Sequence, residues 1–129
     1  MPVRKSLETS MNFYEVLDKK YKRLSGFTAQ YNLSIYEFHL LLVIYKSKTI
    51  QLREVIKNEL MKVNQANKAV KNLYEKKLIN KVRLPMDERT VELSIKEDSL
   101  PKVEKMIKEF AHEVEELQVE ELVEVKQES

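Results

Sequence analysis

Across 129 residues the chain carries a single glycine, Gly26, and three prolines, Pro2, Pro85 and Pro101. These two residue types are the strongest interrupters of regular structure, so long helices are expected wherever the apolar pattern supports them. Met11, Tyr14, Leu17, Tyr21, Leu24, Phe27 and Tyr31 recur every three or four positions and predict a long first helix over 10–31. A second helix opens at SIYE, residues 34–37, which has the form of a capping box. There Ser34 would accept the Glu37 amide hydrogen while the Glu37 carboxylate reaches back to the Ser34 amide. The FHLLLVIY that follows is apolar nearly all round, as in a helix at the centre of a core, and His39 within it reads as a core residue.

A third, short helix over 51–60 places Leu52, Val55, Ile56 and Leu60 on one side, with Arg53, Glu54, Lys57 and Asn58 on the other. Only Met61 to Val63 separate it from VNQANKAVKNLYEKK, in which Asn64 suits an N-cap and Ala66, Val70 and Leu73 form an inward stripe. Two short helices so joined have the form of a helix-turn-helix.

The period then changes. In 78–95 the residues alternate apolar and polar, so Leu78–Leu84 and Val91–Ile95 read as two strands and Pro85–Glu88 as a tip that must face water. A helix pair followed by a two-stranded hairpin is the order of a winged helix. Such a wing can follow the DNA backbone into the minor groove, where the negative potential favours an arginine.

Charge supports a polyanion partner. Residues 46–83 hold eleven Lys or Arg against Glu54, Glu59 and Glu75, a net +8, whereas 96–129 hold five Lys against eleven acids, a net −6. On the fourth helix, Asn64, Gln65, Asn67, Lys68, Lys71 and Asn72 lie away from the inward stripe. Amides pair with base edges and ammonium groups with phosphates, which is the chemistry of a helix in a major groove. An ordinary solvated face would carry glutamates, and none occurs here before Glu75.

With the helix pair, YEKKLI and KVRLPMDERTVELSI in view, residues 34–117 resemble the staphylococcal accessory regulator (SarA) branch of the MarR-type winged-helix regulators. Asp87-Glu88-Arg89 matches the DER signature of that branch, with Lys81 and Arg83 upstream. The resemblance implies a homodimeric transcription regulator that binds AT-rich promoter DNA; the lack of Cys fits a cytoplasmic protein, and no cofactor is expected. The resemblance further implies that Arg89 enters the minor groove, that Asp87 directs it, and that Lys81 and Arg83 contact phosphates. In a regular strand Asp87 lies on the same side as Arg89, and Glu88 on the other. Two departures stand out: Lys77 occupies a position where many MarR-type chains have glycine, and the cysteine common in the branch is missing. A left-handed lysine there would cost about 1 kcal/mol.

The acidic C-terminal segment spaces Leu100, Val103, Ile107, Phe110, Val114 and Leu117 three or four apart, a narrow seam that needs a partner. The first helix of the same chain could supply it, or a second subunit. The dimerisation residues expected are Tyr14, Leu17, Tyr21 and Leu24 with Ile107, Phe110, Val114 and Leu117. Beyond Leu117 the seam is lost and fraying is expected.

Other functional classes find little support. The chain has no Cys, so no disulfide or thiolate ligand forms; no stretch approaches the roughly 20 apolar residues of a membrane span. MPVRKSLETS lacks the apolar core of a secretion signal. His112 has no second histidine at ligand spacing, and neither a phosphate-cradling glycine loop nor a nucleophilic triad can be singled out. The expected fold is therefore mainly α with a small β-hairpin: one winged helix-turn-helix domain over 1–129, with the helix-turn-helix and wing at 34–95 and long terminal helices at 10–31 and 97–122. The competing reading from another class is a winged helix that docks an acidic protein partner. A protein-binding face would show exposed aromatic or aliphatic side chains instead of amides and lysines.

Overall fold

A computed structural model describes residues 2–58, 60–85 and 87–128, the side chains of 87–89 and 119–128 excepted. Helix α1 spans Val3–Ala29, starting earlier than the apolar period suggested and running through Gly26. It ends at Asn32, whose φ of 59° is left-handed. The Leu33 amide donates to the Thr28 carbonyl at 3.1 Å and the Asn32 amide to the Ala29 carbonyl at 2.9 Å, the two bonds of a Schellman ending, in which asparagine is tolerated.

Helix α2, Ile35–Ser47, follows at once, its first turn closed by the Glu37 amide donating to Ser34 Oγ at 3.1 Å. Half of the expected capping box is thus present. The other half is replaced: the carboxylate accepts the Ser34 hydroxyl at 3.1 Å and turns towards α4, described below. Phe38, Leu40, Leu41 and Ile44 are buried. His39 is not the core residue expected, because it falls on the outer side of α2 with Tyr36 and Lys46 and is exposed.

Next comes a three-residue strand with no sequence signal, β1, Thr49–Gln51. Helix α3, Leu52–Lys57, is shorter than 51–60. Helix α4 spans Val63–Glu75, with Lys62 as N-cap in place of Asn64, which sits inside the first turn. Strands β2, Ile79–Leu84, and β3, Asp87–Ile95, form the hairpin. The sheet is antiparallel in the order β1-β3-β2, so β1 ties the base of the wing to the end of α2 through Ile50↔Leu93. A 3₁₀ turn, Glu97–Ser99, leads to α5, Leu100–Glu128. The helix does not fray after Leu117: its backbone is helical to Glu128.

The wing departs from the expected layout. Strand β2 pairs Arg83 with Val91 but Leu84 with Asp87, a register shift that makes β3 the longer strand across 88–90. Only positions 85 and 86 separate the strands, and DERT begins β3 instead of capping the tip. The surplus residues form an extended bulge. Across such a bulge the alternation of sides fails, so the expectation that Asp87 and Arg89 share a strand side loses its basis. Thr90, for which no contact is expected from the sequence, is buried at the root of this bulge.

Helix α4 also ends in a Schellman motif: the Lys77 amide donates to the Tyr74 carbonyl at 3.0 Å and the Leu78 amide to the Leu73 carbonyl at 3.1 Å. Lys77 has φ 62°, so lysine adopts the left-handed conformation that glycine takes without steric cost. Lys77→Gly is expected to raise stability by about 1 kcal/mol. Thermal unfolding at fixed protein concentration checks this, and an unchanged or lower midpoint counts against it.

The core is sealed where α1, α2 and α5 meet. The Phe27 and Phe110 rings lie 5.5 Å apart, Phe38 and Phe110 4.9 Å, and Phe27 and Phe38 6.0 Å. Beside them Arg23 Nε donates to Glu113 Oε1 at 2.8 Å, joining α1 to α5. Among the described side chains of α5, Val103 and Met106 are buried, whereas Leu100, a member of the expected seam, is exposed.

Candidate nucleic-acid interface

Helix α4 buries Ala66, Ala69, Val70 and Leu73 and thereby fixes which side chains face out. At 100° per residue the opposite face carries Asn64, Asn67, Lys68 and Lys71, all exposed. These four match the expected amide and ammonium surface. The other two residues of the set lie at its border, half-buried. Gln65 Oε1 accepts the Lys62 amide at 3.4 Å, closing the first turn of α4. Asn72 Nδ2 donates to Glu37 Oε2 at 3.0 Å, so its amide is turned inward to α2 and away from the outer face.

Glu37 is the centre of this inward contact and is only 6% exposed. Its Oε1 accepts Lys76 Nζ at 3.2 Å, and Lys76 also donates to the Asn32 carbonyl. Burial alone would raise the pKa of this carboxyl. Hydrogen bonds from Asn72, Lys76 and Ser34, with the Lys76 charge, more than offset it and hold the group below its ordinary value. The sequence marked Glu37 only as a capping residue, because the donors from α4 lie more than thirty positions away in the chain.

The wing projects beyond the core, and Lys81, Val82 and Arg83 are all exposed. Lys81 Nζ lies 5.0 Å from the centre of the Tyr74 ring, a cation–π contact that links the wing to α4 on the side of Asn67. Arg83 stands further out, opposite Val91. The expected contacts of Asp87 and Arg89, and the turn-closing role of Glu88, concern side chains outside the described residues.

The expected dimerisation residues divide into two groups. Phe110 and Ile107 pack against the core of their own chain, and Leu24, Val114 and Leu117 are half-buried. In α1 up to Tyr21, by contrast, Tyr14, Leu17 and Tyr21 are more than half exposed, along with Val3, Leu7, Met11 and Phe13. The seam of α5 therefore finds part of its partner inside the chain, and α1 carries the uncovered apolar surface. Among the described residues no cluster of His, Cys, Asp or Glu could hold a metal ion, and no helix is long and apolar enough to cross a membrane.

The comparisons agree with this geometry. BpsR from Bordetella bronchiseptica superposes with a TM-score of 0.68 at 18% identity, over 83% of this chain and 76% of that one. A mutant of MarR from E. coli complexed with operator DNA gives 0.65 at 17% identity, over 79% and 73%. YusO from Bacillus subtilis gives 0.64 at 15% identity, over 98% and 94%. At such identities the likeness establishes the winged-helix fold of the MarR type. A search of curated proteins finds no significant sequence match. The family model for the transcriptional regulators SarA and Rot matches residues 22–106, well over half of the sequence and including the whole wing. The chain belongs to the SarA/Rot family of transcriptional regulators.

Proposed function

We propose that the protein is a sequence-selective regulator that binds AT-rich promoter DNA as a homodimer, with α4 in the major groove and the wing at the adjacent minor groove. The observation that carries this reading is the outer face of α4: Asn64, Asn67, Lys68 and Lys71 are exposed together, opposite a wholly apolar stripe. Amides there read base edges, while the lysines and the wing's Lys81 and Arg83 neutralise phosphates. The E. coli MarR mutant, whose structure holds operator DNA, supports the reading as a neighbour of the same fold. A twofold dimer would set two α4 helices about one helical turn of DNA apart, roughly 34 Å. The second copy would cover the apolar first half of α1.

A protein partner is the second reading, favoured by Val63 and Tyr74, which stand half-exposed near the two ends of α4. Fluorescence anisotropy of a labelled AT-rich duplex, titrated at several salt concentrations, separates the two. Log affinity should fall linearly with log salt, with a slope of about −0.9 for each phosphate contacted. Absence of binding to any duplex at low salt would remove the DNA reading.

A further inference from the structure

Helix α4 buries Ala66, Ala69, Val70 and Leu73, and the two alanines among them offer little relief to interlock with a neighbour. Apolar packing supplies most of the burial but is not directional. Directional bonds can specify the rotation and tilt of α4, and the structure places such bonds at one point.

There the buried Glu37 carboxylate receives Asn72 Nδ2 at 3.0 Å and Ser34 Oγ at 3.1 Å on one oxygen, and Lys76 Nζ at 3.2 Å on the other. Asn72 and Lys76 are four residues apart, on one side of α4 and its C-terminal cap. Lys76 also holds the carbonyl of Asn32, the left-handed residue at the corner between α1 and α2. Helices α2 and α4 therefore meet at one carboxylate, and Lys76 ties that point to the corner that follows α1.

We infer that Glu37 is a positioning residue for the DNA interface: it fixes the angle of α4 against the α1–α2 corner without touching DNA. The inference rests on the DNA-binding reading above. A buried ion pair adds little stability over an apolar pair of equal volume, so its use here is better matched to specifying geometry. The lever arm is long. Asn64 lies about 12 Å along the helix from Asn72, so a pivot of about 5° at the anchor moves it by about 1 Å. That displacement breaks a hydrogen bond to a base edge, whereas lysines on phosphates, being long and flexible, follow it. Loss of the anchor should then degrade discrimination between sequences more than overall attraction to DNA.

Glu37→Gln tests this, because the amide keeps the volume but sets a donor against donors. Affinities are measured for two duplexes of equal length, one AT-rich and one GC-rich, each long enough for two half-sites one turn apart. The AT-rich over GC-rich affinity ratio should fall about tenfold, the scale of one or two lost hydrogen bonds. The salt slope should stay that of the wild type, as should the folded dimer seen by circular dichroism and light scattering. Lys76→Met should lower the ratio similarly, and the double variant no further than the larger single one, since both act through one anchor. Lys76→Met also serves if Glu37→Gln does not fold. Wild-type discrimination kept by the folded variants, with only a lower melting point, overturns the inference alone. A wild-type protein that binds neither duplex, or both equally, overturns the sequence-selective DNA reading and this inference with it.

Discussion

Arg89→Ala is expected to weaken binding to an AT-rich duplex by about 1 to 3 kcal/mol, roughly five- to 150-fold, with the fold intact. The expectation combines the family's DER signature with the backbone of the wing. Arg89 lies within the register shift of the wing, between Asp87, which pairs with Leu84, and Val91, which pairs with Arg83. A bulge bends the strand and disrupts the ladder locally, which suits a side chain that must leave the sheet for a groove. In a narrow, AT-rich minor groove the guanidinium meets the strongest negative potential on the duplex. Arg89→Lys keeps the charge but loses the planar fork, so it should recover only part of the affinity. Anisotropy at one salt concentration measures both variants, with thermal unfolding as the control for the fold. An alanine variant that binds within twofold of the wild type sinks the assignment, and one that unfolds points to a structural role for the bulge.

The second large effect is expected on α1. Leu17→Glu combined with Tyr21→Glu places two carboxylates in the apolar stripe that also carries Tyr14, Leu7 and Val3. If a second copy covers this stripe, burying unpaired charges there is prohibitive, and the variant should be monomeric by light scattering. Its affinity for a two-half-site duplex should fall by about 10²-fold or more, because the second half-site is no longer held at high effective concentration. Lys19→Ala, on the opposite face of α1, should leave both properties unchanged. A wild-type protein that is monomeric at high concentration, or a double variant that stays dimeric, would refute the α1 interface.

What could be read from the sequence follows how local each determinant is. Ser34 was legible as an N-cap because the bond it makes reaches only three residues ahead. The long helices α1 and α5 and the hairpin were legible because their periods persist over many residues. Strand β1 was not, since three residues acquire strand geometry only by pairing with Ser94, Leu93 and Glu92. The same reason hid the role of Glu37, whose decisive partners come from α4. His39 was misread because an almost wholly apolar helix does not reveal which side faces out. The wing tip was misplaced because a bulge adds residues to one strand without marking them in the alternation, so Asp87 and Glu88 looked like part of the tip. Lys77 shows the reverse: a residue that disfavours the left-handed region occupies it because the bonds from Lys77 and Leu78 back to α4 hold it there.

The uncovered first half of α1 bears on gene dosage. In a regulator completed by a second copy through this helix, the active species forms in second order. Below the dimer dissociation constant its concentration rises with the square of the chain concentration. A twofold change in synthesis would then change promoter occupancy by about fourfold while sites are sparse. The lone chain would meanwhile present a long apolar helix to cellular proteases, and its preferential removal would sharpen the threshold between silent and occupied promoters.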